Sequence, residues 1–220
     1  MRTTEADKFA REGRVVLGIA TVFLLFSLAQ HWWVASGIFT AFLAFSLYFF
    51  RNPPRIPKGG GKDVLSPADG KVVQNEVIED ERFLKTRCRK IGIFMSLFDV
   101  HVNRVPVSGR VVGVEYHKGK FVSANLDKAS DVNERNALII KTKDDMFVAV
   151  VQIAGLIARR IVCYSVVGTE IERGTIFGMI KFGSRLDVYL PEKCTVHVKL
   201  GEKVHAGETI IATLPEEGSQ

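Results

Sequence analysis

Cysteine is scarce in this sequence of 220 residues: Cys88, Cys163 and Cys194 are odd in number and lie far apart. Such a set does not form the disulfide framework of a small secreted protein, so we expect free thiols in a reducing compartment. The sequence also lacks zinc-ligand spacing, a Walker-type phosphate loop and a basic stripe interleaved with aromatic residues. These absences argue against a zinc protein, a P-loop nucleotide hydrolase and a nucleic-acid-binding module, and we expect no metal.

Acidic residues are too few to balance the basic ones, because lysine and arginine number 30 against 24 aspartates and glutamates. The net charge is +6 and the pI is about 9.3. This excess suits an anionic partner such as lipid head groups or nucleic acid, and the missing basic stripe favours lipid. A chain of this length can bury one sizeable core, or a small domain plus an anchor.

Charge is missing altogether from two apolar runs, residues 15–29 and 34–50, which residues 30–33 separate. Each run is near or below the roughly 17 to 25 residues of a spanning helix, and one helix through both runs would be too long. Two runs without a convincing small-residue cleavage site also fit a signal peptide poorly. We therefore predict a membrane-anchoring helical hairpin over residues 1–51. The alternative is a hairpin buried inside a soluble domain.

Positive residues flank both ends of the predicted hairpin, which by the positive-inside rule places both ends on the cytoplasmic side. They are Arg2, Lys8, Arg11 and Arg14 before the first apolar run and Arg51, Arg55 and Lys58 after the second. Trp32 and Trp33 lie at the turn, where indole rings would settle at the far membrane interface. The predicted location is the cell membrane, with the remaining domain on the cytoplasmic side.

Long helical patterns are absent after the hairpin. Residues 52–62 form a predicted linker, since prolines block a helix and consecutive glycines loosen the chain. Residues 63–220 consist of short β-rich runs separated by turn residues, which predicts a mainly β domain, a barrel/sandwich hybrid. The segments 66–72 and 200–210 look like half-motifs of one hybrid fold. The second of them is similar to the closing hairpin of biotinyl/lipoyl-type barrels.

A glycine-serine pair lies inside one of these predicted strands, residues 180–190. Apolar positions alternate there with mostly polar ones, and Ser184 lies in the apolar row. Burying a hydroxyl on an apolar face costs free energy, which suggests that this serine has a specific role. Gly183 before it offers an unhindered carbonyl. Ser184 could therefore attack that carbonyl and cleave the chain, leaving a pyruvoyl group. The alternative is a small strand residue bonded to a neighbouring carbonyl.

Polar residues that could assist such a cleavage lie in the apolar segment 97–106. Asp99, His101 and Asn103 have the same strand parity and would project to one face, whereas Arg104 would project to the other. Cleavage needs a base, stabilisation of an oxyanion and later removal of an α-proton. A single histidine in a strand is usually structural. Here aspartate, asparagine and arginine lie close to it in an apolar strand, which favours a catalytic or binding role.

The string GMIKFGSRLDVYLP at residues 178–191 resembles the processing site of phosphatidylserine decarboxylases of the short, archaeal-type branch, and the resemblance covers about residues 45–215. It implies a proenzyme that cleaves itself between Gly183 and Ser184 into a large subunit, 1–183, and a small one, 184–220, which form a heterodimer. It also implies a pyruvoyl cofactor derived from Ser184. That group would act as an electron sink while phosphatidylserine loses carbon dioxide to become phosphatidylethanolamine.

The resemblance also implies roles for individual residues. Long-form members of the family carry Asp-Tyr-His-Arg-x-His in the segment where His101 matches the first histidine and Arg104 stands at the second. Asp69, in a Pro-Ala-Asp-Gly context, matches the family's relay aspartate. Ser184, His101 and Asp69 are therefore the expected catalytic residues, with His101 as the base because an arginine stays protonated. Arg104 and Asn103 are expected to bind the substrate, Arg104 through its phosphate or carboxylate.

Lys128, in an Asp-Lys-Ala tripeptide, suggests a different function, because lipoyl-type domains modify the lysine of a similar tripeptide. The protein would then be a non-enzymatic, membrane-anchored hybrid-barrel module with Lys128 as the modified residue. The long polar stretch 123–136 around it suits a loop near an active site better than a tight hairpin tip. A soluble amino acid as substrate is a third possibility, against which the two apolar runs argue. We expect phosphatidylserine and membrane lipid as partners, and no nucleic acid.

Overall fold

The computed structural model describes residues 3–119, 132–155, 160–181 and 184–216. The chain divides into two compact units, Met1–Pro54 and Arg55–Gln220. The finer division expected from composition, into a hairpin over 1–51, a linker over 52–62 and a catalytic domain over 63–220, stays a prediction.

The first unit is a helical hairpin. A short 3-10 turn, Arg11–Gly13, leads into α1, Arg14–Ala29, and α2 covers Trp33–Phe49. Among the described residues one helical segment, Arg11–Ala29, is long and apolar enough to cross a membrane, and α2 is shorter. By length and composition alone this is weak evidence for membrane association, and the cytoplasmic side stays a prediction.

Small polar residues lie between the two helices, and apolar side chains face outward. Ser27 and Ser36 are buried, and their hydroxyl oxygens lie 3.0 Å apart. By contrast, Val34 on the outer surface is 81% exposed. At the other end of the hairpin the Ala10 N–H donates to the Phe50 carbonyl at 2.7 Å, so the segments entering α1 and leaving α2 meet. Both ends of the hairpin therefore lie on the same side of this unit.

The second unit is built from short antiparallel strands. They are β1 Asp63–Leu65, β2 Gly70–Asp80, β3 Thr86–Met95, β4 Val102–Arg104, β5 Gly109–His117, β6 Arg135–Lys141, β7 Phe147–Ala154, β8 Ile161–Cys163, β9 Glu170–Ile171, β10 Ile176–Ile180, β11 Ser184–Pro191, β12 Thr195–Val196, β13 Lys203–Val204 and β14 Ile210–Thr213. The prediction of a mainly β fold behind a helical hairpin is confirmed.

These strands form one large sheet and two small ones within the described part of the chain. The large sheet has the order β13-β2-β3-β11-β7-β6-β5-β9 and curls into a half-barrel. One small sheet has the order β1-β14-β12, and the other has the order β4-β10-β8. Strands of the β4-β10-β8 sheet contact β6 and β7 of the large sheet, so the two sheets enclose a shared core.

The strand β11 lies in the middle of the large sheet, paired with β3 and β7. Leu186 and Val188 pack into the main core on its inner face. Its outer face, where the sequence alternation places polar residues, is also buried, since Arg185 and Asp187 are both 0% exposed. Arg185 Nη2 donates to Asp187 Oδ2 at 3.1 Å, and Lys90 Nζ lies 3.3 Å from the same oxygen. Because buried charges are tolerated when paired, polar residues on this strand do not mark an exposed face.

Candidate active site

Ser184 begins β11 and is fully buried between β3 and β7. It is opposite Met95 on one side and Ala154 on the other, so the three side chains share the inner face of the sheet. Its hydroxyl donates to Met95 Sδ at 3.4 Å, and a thioether sulfur is a weak acceptor. Because this hydrogen bond is weak, it constrains the serine hydroxyl little, which suits a nucleophile. Gly183, the predicted partner in cleavage, lies outside the described residues.

The small sheet β4-β10-β8 covers this region through a close approach at Gly178. Gly178 of β10 is paired with Asn103 of β4 and with Cys163 of β8. A Cβ at Gly178 would lie 2.1 Å from the Val162 carbonyl oxygen and 3.0 Å from Gln152 Nε2. The glycine therefore permits the small sheet to approach the amide of Gln152 on the large sheet.

Asn103 is the first of three buried amide side chains that connect the two sheets. Gln152 of β7 donates from Nε2 to Asn103 Oδ1 at 2.9 Å, and Asn136 of β6 donates from Nδ2 to Gln152 Oε1 at 3.2 Å. Asn103 Nδ2 lies 3.8 Å from Met95 Sδ, the sulfur that also accepts from Ser184. Asn103 was predicted from sequence, whereas Gln152 and Asn136 were missed. A glutamine inside the apolar strand FVAVVQIA was the available signal.

His101 is fully buried immediately before β4. Its Nδ1 lies 2.9 Å from the Asp99 carbonyl oxygen, which can only accept, so Nδ1 carries the proton and donates. In the neutral ring Nε2 then holds the lone pair, as a general base requires. The Asp99 carboxylate accepts from the Ser96 N–H at 2.8 Å and from its hydroxyl at 2.7 Å. Asp99 therefore orients His101 through its main chain and not through its charge.

Asp69 is 6% exposed and belongs to a different group of charges. Arg55 Nη2 donates to its Oδ2 at 2.8 Å, and the Ala206 N–H donates to its Oδ1 at 2.8 Å. His205 Nδ1 lies 3.6 Å from Oδ2. Within the described residues, the bonds of this carboxylate go to Arg55 and to the loop after β13, not to the other predicted catalytic residues. The role of Asp69 in a relay stays a prediction.

Arg104 lies in the same region as Asp69. Its main-chain N–H donates to the Pro67 carbonyl at 2.9 Å, and its Nη1 donates to the Gly174 carbonyl at 2.9 Å. Gly207 packs against it, because a Cβ there would lie 2.7 Å from Arg104 Cδ. Adjacent strand residues project to opposite faces, and β4 thus sends Asn103 toward Ser184 and Arg104 toward the Asp69 loop.

The charge pairs around Asp69 extend to Glu208. Arg55 Nη1 donates to Glu208 Oε2 at 2.8 Å. Burial raises the pKa of the Glu208 carboxyl, but the hydrogen bond and charge of Arg55 lower it more, and the net pKa shift is downward. One arginine therefore binds two carboxylates at this edge of the domain.

The three cysteines are free, and burial keeps their thiols protonated at neutral pH. Burial raises the pKa of Cys88 to about 12 and the pKa of Cys194 to about 11. Burial also raises the pKa of Cys163, although hydrogen bonds from Ser165 and Asn136 oppose it. A protonated thiol is a poor nucleophile, so these cysteines are not good candidates for covalent chemistry.

Groups of three or more His, Cys, Asp or Glu side chains that could hold a metal ion do not occur in the described residues. Lys128, the candidate for lipoyl-type modification, lies outside the described residues.

Known proteins are similar to this chain over nearly all of its length. A family model described as phosphatidylserine decarboxylase matches residues 42–212. A phosphatidylserine decarboxylase proenzyme from Syntrophus aciditrophicus is 48% identical over 211 residues, which are 94% of this chain and 98% of the relative. Relatives with the same name occur in Syntrophotalea carbinolica, 46% identical over 93% of this chain and 96% of the relative, and in Geobacter sulfurreducens, 45% identical over 96% and 99%.

Proposed function

The chain belongs to the phosphatidylserine decarboxylase family, and we propose from this that it is made as a proenzyme and works through a pyruvoyl group derived from Ser184. The substrate is phosphatidylserine and the product is phosphatidylethanolamine. The observation that carries the proposal is the position of Ser184, fully buried at the start of the central strand beside a weak acceptor and an amide donor. A serine with only a structural role would be expected to bond a strong acceptor there.

The proposed self-cleavage begins when Ser184 Oγ gives up its proton and attacks the carbonyl carbon of Gly183. The peptide C–N bond breaks, and an ester bond forms between the two residues. Loss of the Ser184 α-proton then expels the Gly183 carboxylate and leaves a dehydroalanine. Uptake of one water and release of one ammonia give the pyruvoyl group.

The proposed products are a large subunit, residues 1–183, and a small subunit, residues 184–220. The small subunit would start with β11, which is paired along its length with β3 and β7 of the large subunit. These main-chain hydrogen bonds and the buried inner face support a heterodimer that stays assembled after cleavage.

The other candidate residues are assigned the remaining chemical roles. His101 is proposed as the base, because its Nε2 holds the lone pair in the neutral ring. Asn103 is proposed to bind the developing oxyanion and later the substrate through its Nδ2 group. Asp69 is proposed to assist processing, and Arg104, a permanent positive charge near it, is proposed to attract the substrate's phosphate or carboxylate.

The surroundings of Ser184 fit a pyruvoyl group. The group is small and has two carbonyl oxygens, and the inner face offers apolar neighbours, Met95 and Ala154, together with the Asn103 amide as a donor. When formed, the group supplies an electron sink for the loss of carbon dioxide. The buried face excludes water, which favours the loss of charge from the substrate carboxylate.

The helical hairpin is proposed to hold the catalytic domain at the cytoplasmic face of the cell membrane, where phosphatidylserine is presented. Its exposed apolar surface and the basic residues at both of its ends support this proposal. The alternative of a non-enzymatic module modified at Lys128 is not favoured, because the family to which the chain belongs is a family of decarboxylases.

The variant Ser184→Ala tests the proposed function. It should leave one full-length chain that releases no carbon dioxide from carboxyl-labelled phosphatidylserine. Ser66→Ala is the matched control, because it removes another buried hydroxyl, one that donates to the Ala68 carbonyl at 2.6 Å. The control should cleave and remain active. A Ser184→Ala chain that still splits at this position would refute the proposal.

A further inference from the structure

Three buried amide side chains meet between the small sheet β4-β10-β8 and the inner face of the large sheet, and two of them, Gln152 and Asn136, have no role in the proposed chemistry. Asn103 and Gln152 are fully buried, and Asn136 is 4% exposed. Burying an amide costs free energy unless its donors and acceptors are paired. The three amides therefore need a single consistent bonding pattern.

A main-chain carbonyl determines that pattern. The Val162 carbonyl oxygen can only accept, so the Gln152 side-chain atom 3.2 Å from it is the nitrogen Nε2. The same nitrogen lies 2.9 Å from Asn103, whose nearer atom must then be the acceptor Oδ1. Asn103 Nδ2 consequently points away from Gln152 and toward Met95. If the Asn103 amide were flipped, its NH₂ group would face the NH₂ group of Gln152. Two donors cannot bond each other, so Gln152 disfavours the flipped orientation.

Asn136 and Gly178 hold Gln152 in this orientation. Asn136 Nδ2 donates to Gln152 Oε1 at 3.2 Å, which is the pairing expected when Nε2 faces Val162. Gly178 leaves the space that the amide occupies, since a Cβ there would lie 3.0 Å from Gln152 Nε2. The Gln152 amide is thus bonded at both its nitrogen and its oxygen, by strands from both sheets.

We propose that Gln152 is a positioning residue that aims the Asn103 N–H donor at the reacting atoms of Ser184. The inference rests on the proposed function. Asn103 Nδ2 and Ser184 Oγ lie 3.8 and 3.4 Å from the same sulfur, Met95 Sδ, so the donor and the nucleophile are neighbours. The oxyanion that forms when Ser184 attacks can accept from this N–H, and a charged acceptor is far stronger than a thioether. With Asn103 reversed, Oδ1 would face the oxyanion and repel it.

The isosteric variant Gln152→Glu separates this role from a packing role. An ionised carboxylate only accepts, so it loses the bonds to Asn103 Oδ1 and Val162 O and favours the reversed Asn103. At mildly alkaline pH we expect the variant to cleave at least about tenfold more slowly than wild type. This loss is smaller than that expected when an oxyanion donor is removed completely. The deficit should shrink as the pH falls, because a protonated carboxyl regains a donor.

Two further variants serve as comparisons for the pH profile. Gln152→Leu cannot donate at any pH, so its cleavage rate relative to wild type should be low and independent of pH. Asn75→Asp makes the same amide-to-acid change on β2 of the same sheet, where Nδ2 donates to the Val198 carbonyl at 3.3 Å. It should cleave at the wild-type rate. Each cleavage rate is obtained from a pulse-chase experiment, in which denaturing gels give the fraction of newly made chain that is still uncleaved at each time.

A double variant gives the decisive result. In an Asn103→Ala chain, Gln152→Glu should cause no additional slowing, because the donor that it aims is gone. Additive slowing, or a Gln152→Glu chain that cleaves like wild type, would overturn the inference. If thermal unfolding shows that Gln152→Glu is not folded, Asn136→Asp replaces it in the same cycle. A wild-type chain that does not cleave would refute the proposed function itself, whereas cleavage of wild type and Gln152→Glu at equal rates refutes only this inference.

Discussion

At the scale of single residues, the bonding partner of each buried polar group determines what that group can do. Ser184 is bonded to a sulfur atom and stays available for attack, whereas Ser66, equally buried, donates to a carbonyl at 2.6 Å. His101 donates a hydrogen bond from Nδ1 to the Asp99 main-chain carbonyl, and in the neutral ring the lone pair is then on Nε2. The residues proposed to react therefore differ from similar residues in their hydrogen-bond partners and not in their burial.

His101→Ala should slow self-cleavage, decarboxylation or both by about a hundredfold or more, because general acid–base catalysis contributes that much. The measurement is the cleavage time course together with the release of carbon dioxide from phosphatidylserine. His117→Ala is the control, since that histidine lies at the end of β5 with a half-exposed side chain. Nearly equal rates for the two variants would assign the base to another residue, with Asp69 the next candidate.

The candidate site residues that the sequence suggests are those whose chemistry is unusual for their local pattern. Ser184 and His101 stand out in apolar strands, and both are buried in the structure. The role proposed for Gln152 could not be predicted, because its partner Asn103 lies 49 positions away and only the folded sheets bring them together. The bond between Asp69 and Arg55 was missed for a related reason, since Arg55 was read only as a charge flanking the membrane hairpin.

At the scale of secondary-structure elements, β11 shows where alternation misleads. Polar residues alternate with apolar ones along it, a pattern typical of a half-exposed strand, yet both faces are buried. The physical reason is an ion cluster in which Asp187 lies between Arg185 and Lys90, with Tyr189 and Phe83 packed nearby. Charge pairing within the tertiary structure has no local sequence signal, whereas the strand itself was predictable from its apolar row.

Asp187→Asn should destabilise the protein by about 3–5 kcal/mol, because it leaves the charges of Arg185 and Lys90 buried without this carboxylate. The free energy of unfolding, measured by urea titration of the Ser184→Ala chain to prevent cleavage, checks this. Asp145→Asn is the control, since its carboxylate is 82% exposed and pairs with Lys141 at the surface. Similar unfolding midpoints for the two variants would show that the buried cluster contributes little.

At the scale of the whole molecule, the chain combines an apolar hairpin with a β domain. The segment between them, residues 52–62, is predicted to be a linker from its prolines and glycines, and this stays a prediction. Within it Arg55 binds Asp69, and Arg173 donates to the carbonyls of Lys58 and Gly59. Residues from Arg55 onward are thus bonded to the β domain. Composition reports the flexibility of a free chain and not the hydrogen bonds that the folded domain supplies.

A chain beginning at Pro54 should still cleave itself, because it keeps Arg55, Asp69, His101 and Ser184. It should remain in the aqueous phase, act poorly on vesicles and recover activity on detergent-dispersed phosphatidylserine. The full-length protein should stay on vesicles in high salt, since apolar contact with lipid is not screened as charge attraction is. Release of the full-length protein by salt, or full activity of the shortened chain on intact vesicles, would contradict the anchoring role.

The mass of the wild-type protein under denaturing conditions tests the central claim most directly. The account predicts two pieces, residues 1–183 and 184–220, which together cover the whole sequence. The small piece should be lighter by one ammonia than a peptide that begins with an intact serine, because Ser184 has become a pyruvoyl group. A single intact chain, a cut at another position, or a small piece that begins with unmodified serine would contradict the account.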